Sequence, residues 1–200
     1  MSAIITNFSD LDLTKTYSYA DYLLWQFQER VELIKGKIFE MSPAPSRKHQ
    51  LVSSVLNRYL DRYFEFRPCG LYYAPFDVRL LNFKKSTDDK KVFSVVQPDL
   101  CVVCDQSKLD DRGCIGAPDL VIEILSPGNS KKEMGIKFNL YEENHINEYW
   151  IVEPAENSIF VYTLKDGKYI GLKPCIEGEK ITSPLFPELD FEIEKIFENI

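Results

Sequence analysis

An acidic residue stands inside the most apolar strand-like stretch of the chain. Glu123 lies within residues 120–125, whose other members are all aliphatic. An ionised carboxylate in such a stretch is unfavourable unless a cation, a metal ion or solvent reaches it. A structural salt bridge would satisfy Glu123, but we favour a carboxylate held at the mouth of a functional site.

A second acid, Asp99, begins the preceding predicted strand and follows Pro98. Carboxylates from neighbouring strands can converge on one divalent ion, because Mg²⁺ prefers carboxylate oxygens and water. An acid that simply starts a strand after a proline is the alternative for Asp99. Asp119 also follows a proline, but it lies four residues before Glu123, about 13 Å away along a strand. We therefore predict that Asp99 and Glu123 form the metal-binding pair.

Lys137 is the third candidate, on the packed face of the second long predicted helix. It follows Met134 by three residues and precedes Tyr141 by four, so the three share one helical face. A lysine on that face either extends its amine to water or reaches an acidic cluster. With two candidate acids in the chain, we favour the acidic cluster.

Three further residues are weaker candidates. Glu32 and Asp77 lie in other apolar strand-like runs, where a structural salt bridge explains them at least as well. His49 opens the first long predicted helix on its inward face. We favour a capping or core hydrogen-bonding role for His49 over a contact with water or phosphate near the acids.

Periodicity and turn signals predict the elements that position these side chains. Helices are predicted over residues 18–27, 48–64, 130–143 and part of 186–200, with capping pairs Ser18/Asp21 and Ser130/Glu133. Strands are predicted over residues 31–34, 37–41, 71–83, 92–104, 119–125, 149–152, 158–163 and 169–172, with tight turns at Lys35-Gly36 and Asp166-Gly167. Pro75 indicates a bend in the third of these runs, and Pro98 indicates that the fourth starts near Asp99 rather than running unbroken. This order predicts an α/β or α+β domain, with helices around one central mixed sheet, an N-terminal helix plus hairpin and a C-terminal hairpin. Residues 1–200 are expected to form one domain, with residues 1–16 as an irregular leader.

Composition narrows the class of protein. The chain has 200 residues, of which 44% are hydrophobic and 28% charged, as in folded globular proteins. Its formal net charge of −7 argues against a protein that holds nucleic acid through many phosphate contacts, but not against a nuclease with an acidic metal site. No apolar run approaches the roughly 18 residues that cross a bilayer, and no signal peptide is evident. We expect a cytoplasmic protein that does not contact membranes.

The five cysteines are expected to be reduced and mostly buried. Their number is odd and no secretory signal precedes them, which argues against a disulfide framework. Cys101 and Cys104 form a CxxC, but nothing nearby completes a zinc site. In an extended segment their side chains would point to opposite faces.

Several motifs in this order resemble the Uma-type restriction endonucleases of the PD-(D/E)XK nuclease superfamily. The resemblance covers residues 18–189. The motifs are Met41-Ser42-Pro43-Ala44-Pro45, His49, Gln97-Pro98-Asp99, Val121-Ile122-Glu123-Ile124-Leu125-Ser126-Pro127, Lys137, Tyr141 and Glu148-Tyr149-Trp150-Ile151-Val152.

The resemblance implies a restriction-endonuclease-like core with metal-binding acids on neighbouring strands. Asp99 and Glu123 match the two motif acids, and the backbone carbonyl of Ile124 would join them in holding Mg²⁺, for which Mn²⁺ could substitute. Leu125 occupies the position of the motif lysine. Lys137 matches the lysine from the following helix that replaces it.

The same resemblance implies roles for the weaker candidates and for partners. Glu32 would add a metal contact or orient Lys137, and Asp77 would support the acids from its own strand. DNA would be the substrate. A homodimer is expected, because cutting both strands requires two sites.

Three hypotheses follow. The first is a Mg²⁺-dependent DNA endonuclease that uses Asp99, Glu123 and Lys137 to hydrolyse phosphodiester bonds. The second is a non-catalytic module that binds nucleic acid or protein, favoured by Leu125 and the acidic charge. The third is a structural or interaction protein whose acids form buried ion pairs.

Overall fold

The computed structural model describes residues 4–41, 44–81, 86–126, 131–198 and 200, with the backbone alone for residues 131–133. Within these ranges, four α-helices are separated by groups of strands. The helices are α1 (Tyr19–Tyr22), α2 (Arg47–Phe64), α3 (Lys131–Glu143) and α4 (Ile193–Phe197). The strands are β1 (Val31–Ile34), β2 (Lys37–Glu40), β3 (Gly70–Tyr73), β4 (Val78–Leu80), β5 (Ser94–Val96), β6 (Leu100–Val103), β7 (Leu109–Asp110), β8 (Gly113–Ile115), β9 (Leu120–Ile124), β10 (Glu148–Glu153), β11 (Ser158–Lys165), β12 (Lys168–Gly171), β13 (Lys180–Thr182) and β14 (Asp190–Glu192).

The strands divide between two six-stranded sheets and one two-stranded pair, β13-β14. Sheet A has the order β2-β1-β5-β4-β8-β7, and sheet B has the order β12-β11-β10-β9-β6-β3. In sheet B, β9 lies between β10, to which it is parallel, and β6, to which it is antiparallel. The predicted mixed α+β fold is confirmed, with β9 as a central strand.

The strands form two sheets rather than the one that the sequence indicated, because two predicted runs cross from one sheet to the other at a proline. The run over residues 71–83 changes sheet at Pro75, where a bend was predicted, with β3 in sheet B and β4 in sheet A. The run over residues 92–104 is interrupted at Pro98, as predicted, with β5 in sheet A and β6 in sheet B. Proline has no N–H for the ladder, so pairing stops at both positions.

Two hairpins form where the turn residues predicted them. β1 pairs with β2 around Lys35-Gly36, and β11 pairs with β12 around Asp166-Gly167. All four turn residues have φ between 51° and 77°, the left-handed values that a two-residue hairpin turn requires.

The helices agree with prediction to different degrees. α2 lies within one residue of its predicted start and ends as predicted, whereas α1 ends at Tyr22 rather than at residue 27. The predicted Ser18/Asp21 capping box is present. The predicted Ser130/Glu133 pair lies outside the described residues.

Helices cover both faces of sheet B. α2 packs Val52, Leu56, Leu60 and Phe64 against one face, in a core that includes Ile122 of β9. On the other face, residues of α3 share a core with alternate residues of β9 and with sheet A. The site residues of β9 that point toward α3 therefore lie between the two sheets.

The expectation that all cysteines are reduced was wrong for two of them. Cys69 and Cys104 form a disulfide. In the β3–β6 ladder Gly70 pairs with Val103, so the same register brings the two cysteines opposite each other at the ends of the strands. The pairing depends on strand register, which the number of cysteines does not reveal. Cys101, Cys114 and Cys175 are free, and the first two are buried as expected.

No helix among the described residues is both long enough and apolar enough to span a membrane. The irregular leader predicted for residues 1–16 contains, in its described part, a 3₁₀ turn at Phe8–Asp10.

A buried carboxylate holds the C-terminal segment against sheet B. Glu148 of β10 is fully buried and accepts hydrogen bonds from Trp150 Nε1 at 2.7 Å, Ser183 Oγ at 2.7 Å and the Leu185 N–H at 2.9 Å. Burial raises the pKa of Glu148 above its ordinary value, although these hydrogen bonds oppose the shift. The Glu148 carboxyl group therefore makes the free energy of unfolding depend on pH.

Glu148→Gln should remove this pH dependence. Because the folded-state pKa is the higher one, the unfolded state loses its proton first as the pH rises above about 4.5, and the wild-type protein loses stability there. From about pH 4.5 to pH 7.5, the free energy of unfolding of the wild-type protein should therefore fall relative to that of Glu148→Gln. Urea denaturation at both pH values measures this. An unchanged difference would contradict the prediction.

Candidate active site

Asp99 and Glu123 lie side by side at one end of sheet B. In the antiparallel ladder of β6 and β9, Leu100 lies opposite Ile122. The same register, continued by one residue, brings Asp99 opposite Glu123 with both side chains on one face. Their side chains are 22% and 12% exposed, so both acids are recessed but not sealed.

One carboxylate oxygen of Asp99 is fixed by two groups. Oδ2 accepts a hydrogen bond from the Ile124 N–H at 2.7 Å and lies 3.2 Å from His49 Nε2. Ser46 caps α2 by accepting from the His49 N–H, which places the imidazole at the start of the helix beside the acid. Among the described residues, Oδ1 of Asp99 accepts no hydrogen bond, so it is available to a ligand.

His49 thus contacts Asp99, one member of the acid pair, through its buried ring. Burial alone would lower the pKa of His49, but the hydrogen bond and charge of Asp99 outweigh it and raise that pKa above its ordinary value. The other ring nitrogen, Nδ1, is buried without a hydrogen-bond partner in the described part of the chain. The backbone of His49, rather than its ring, takes part in the helix cap.

Lys137 links an acid of each sheet. Its Nζ lies 3.0 Å from Oε1 of Glu32 on β1 and 3.0 Å from Oε1 of Glu123 on β9. The Tyr141 hydroxyl, one turn later on α3, donates to the same Glu123 oxygen at 2.5 Å. Within the described ranges, Oε2 of Glu123 accepts no hydrogen bond, so this carboxylate also keeps one oxygen for a ligand.

Burial and charge set the protonation of this cluster. Burial raises the pKa of Glu123 to about 7, against the lowering effect of Lys137 and with added repulsion from Asp99 and Glu32. Burial alone would lower the pKa of Lys137, but Glu123 and Glu32 raise it well above its ordinary value. Lys137 is therefore held as a cation.

Gln97 connects the remaining predicted acids to the cluster. Its backbone N–H donates to Glu32 Oε1 at 2.8 Å, and its side-chain amide donates to Asp77 Oδ1 at 2.9 Å. The amide oxygen accepts from Arg30 Nη2 at 3.0 Å. Asp77 does not line the cleft, and burial raises its pKa. Its link to the site is Gln97, and its other oxygen accepts a hydrogen bond from the Tyr19 hydroxyl at 3.3 Å.

A cleft of about 450 Å³ opens above these residues. Its lining includes Arg30, Glu32, His49, Asp99, Glu123 and Lys137. The structure thus brings five of the six predicted side chains to one cleft and leaves Asp77 outside its walls. Ile124, whose carbonyl is a predicted metal ligand, also lines it. A second cavity, of about 230 Å³, lies beside α4 and contains none of the predicted residues.

The donor set suits a small hard cation. Among the described residues, no group of three or more His, Cys, Asp or Glu side chains is arranged to hold a metal ion. Mg²⁺ does not require such a group, because it commonly binds through one or two carboxylates and keeps several water ligands. One accessible oxygen on each of Asp99 and Glu123, with the Ile124 carbonyl, fits that pattern.

Arg30 and Gln97 are site residues that sequence reasoning did not identify. Arg30 lines the cleft and, within the described ranges, has no carboxylate within ion-pair distance. Gln97 was visible only as the residue before Pro98-Asp99. In the sequence, only their positions mark these two residues as neighbours of the site. Arg30 lies two residues before Glu32, and Gln97 lies two residues before Asp99.

The chain matches a known protein family over most of its length. The Uma2 family, described as "Putative restriction endonuclease", matches residues 19–194. The chain belongs to the Uma2 family. A Uma2-type nuclease-like core therefore carries the acids and the lysine described above.

Two individual proteins resemble this Uma2 member. An uncharacterized protein of Synechocystis sp. is 26% identical over 149 residues, which cover 73% of each chain. The crystal structure of a "putative nuclease belonging to DUF820" from Anabaena variabilis superposes with a TM-score of 0.68 and 21% identity, over 90% of this chain and 97% of that one. At that identity the likeness concerns the fold.

Lys137→Met should strongly destabilise this Uma2 protein. The change leaves Glu32 and Glu123 recessed without their cation, which costs about 3–5 kcal/mol for a buried pair. Lys168→Met is the matched control, because Lys168 pairs with Glu142 while 79% exposed and should cost less than about 1 kcal/mol. Urea denaturation at neutral pH measures both. Equal losses would contradict a central role for the buried cation.

Proposed function

We propose that this protein is a metal-dependent DNA endonuclease that hydrolyses phosphodiester bonds through Asp99, Glu123 and Lys137. The observation that carries the proposal is the 3.0 Å contact between Lys137 Nζ and Glu123. It supplies an amine beside the second acid, although Leu125 occupies the motif position for lysine. Membership of a nuclease-like family supports the reaction class.

Asp99, Glu123 and the Ile124 carbonyl would hold Mg²⁺, with Mn²⁺ as a substitute. The ion would supply Lewis-acid polarisation of the phosphodiester and would lower the pKa of a bound water. The protein prepares for this by orienting Asp99 through the Ile124 N–H and His49. Each acid then offers one oxygen toward the cleft.

Lys137 would act as a fixed positive charge rather than as a base. Its pKa lies well above the ordinary value because Glu123 and Glu32 surround it, so it does not release its proton at neutral pH. A protonated amine at this point can donate to a phosphate oxygen and offset the charge that develops there. Glu32 would position this amine, and Tyr141 would help by fixing Glu123.

Arg30 and Asp77 would act at the edge of the same site. Arg30 is a cleft cation without a carboxylate partner in the described part of the chain, so it could bind a second phosphate. Asp77 would keep Gln97 in place, and Gln97 in turn binds Glu32 and Arg30. The role of Asp77 is therefore one of positioning, since Asp77 lies outside the cleft.

Cleavage of supercoiled plasmid in Mg²⁺ or Mn²⁺ tests the proposal. Asp99→Asn, Glu123→Gln and Lys137→Gln should each slow cleavage by about 100-fold or more, because each removes a charge at the reacting phosphate. Asp119→Asn is the matched control: this acid also follows a proline, and its oxygen only accepts from the Cys104 N–H at 2.8 Å. Circular dichroism should verify that every variant is folded.

Two readouts of this assay separate the remaining alternatives. Linear product would indicate the paired sites of the predicted homodimer, and nicked circles would indicate one site acting alone. Metal-dependent cleavage that none of the three changes reduces would contradict the proposal. Absence of cleavage would favour the non-catalytic binding module that Leu125 suggests.

Leu125→Lys in the Lys137→Gln background should restore part of the lost cleavage. Leu125 lines the same cleft, so a lysine there could bring its amine to the acids from the strand instead of from α3. The rate of plasmid nicking, compared with Lys137→Gln alone, measures the rescue. Leu125→Asn is the control for the loss of the apolar side chain. Equal nicking rates with Leu125→Lys and Leu125→Asn would contradict the expectation that an amine at position 125 can take the place of the Lys137 amine.

A further inference from the structure

The cleft has an apolar wall that the proposed chemistry does not use. Besides its charged groups, the cleft is lined by apolar and aromatic residues, together termed its apolar wall: Phe39, Met41, Pro45, Tyr73, Leu125 and Met134. Phosphate hydrolysis by itself needs carboxylates, a cation and water. The apolar wall therefore indicates that the ligand also presents an apolar or aromatic surface.

Tyr73 is the exposed aromatic residue of this wall. It is the last residue of β3, at the edge of sheet B, and it is 62% exposed. The next residue, Ala74, donates its N–H to the Asp99 carbonyl at 3.2 Å. The tyrosine ring is thus attached directly beside the strand end that carries Asp99, with much of its surface open to solvent.

The charged groups of the cleft are recessed, unlike that ring. The Glu32, Glu123, Lys137 and Asp99 side chains are 4%, 12%, 19% and 22% exposed. A volume of about 450 Å³ is that of a small-ligand pocket. It can receive a nucleotide, whereas a base-paired duplex presents its phosphates outside and keeps its bases stacked inside.

We propose that the cleft binds an unpaired nucleotide and that Tyr73 stacks on its base, so that the substrate is single-stranded or locally unpaired DNA. This inference rests on the proposed nuclease function and specifies its substrate. Every base offers a flat face for an aromatic ring, so stacking of this kind tolerates any sequence. Arg30, at the same cleft, would hold the adjoining phosphate.

The charge of the chain supports the same substrate. Duplex binding through the phosphate backbone draws its affinity from many cationic contacts, and a protein with a net charge of −7 is poorly suited to supply them. A single strand also carries phosphates, but stacking on an aromatic ring adds affinity that does not depend on net charge. The exposed Tyr73 ring beside the acids therefore favours an unpaired base over a duplex surface.

Fluorescence anisotropy with a labelled oligonucleotide of mixed sequence, single-stranded or annealed to its complement, tests the proposal. Measurements in Ca²⁺ and in EDTA, with gels to verify intact DNA, separate binding from cleavage. The single strand should bind more tightly than the duplex. Tyr73→Ala should weaken single-strand binding about tenfold, a typical loss for one stacked base, whereas Tyr73→Phe should retain it.

Phe66→Ala is the control, because Phe66 is 91% exposed and does not line the cleft. Cleavage of circular single-stranded DNA should also exceed that of relaxed duplex plasmid. Tighter duplex binding, or equal effects of Tyr73→Ala and Phe66→Ala, would overturn the inference and leave the nuclease proposal intact. If neither DNA form is bound or cut, both proposals fail.

Discussion

One buried cation joins the three parts of the molecule that form the site. Lys137 on α3 contacts Glu32 of sheet A and Glu123 of sheet B, each at 3.0 Å. Two recessed carboxylates cannot stay ionised near each other without such a partner. The relative position of both sheets and α3 is therefore tied to this contact. At its C-terminal end, α3 is also held to the β1–β2 turn by the ion pair of Glu143 with Lys35.

The two acids of the cleft are held by different means, and this gives them different chemistry. Asp99 is bound by a backbone N–H and the ring of His49, whereas Glu123 is bound by Lys137 and Tyr141. Glu123 is the more enclosed of the two, and burial raises its pKa to about 7. A divalent ion would favour its ionised form. Paired carboxylates in unlike surroundings are a recurrent way to divide roles at one site.

The amine of this site comes from a helix, whereas the strand that carries Glu123 supplies an apolar side chain. Leu125 lies on the cleft two residues after Glu123, yet the amine arrives from Lys137 on the following helix. Chemistry depends on where the amine lies, not on which element carries it. Leu125 lines the same cleft as Tyr73 and adds to its apolar lining.

Features that depend on neighbouring residues could be predicted from the sequence: the apolar stripe of α2, the turns at Lys35-Gly36 and Asp166-Gly167, and the acids within apolar strands. Turn geometry and helical periodicity are local, so a short run of residues reveals them. The division into two sheets, the Cys69–Cys104 pair and the contacts of His49 and Gln97 depend instead on the tertiary structure. Those join residues 35 to 65 positions apart. Their pairing follows from strand register and packing, which no local pattern specifies.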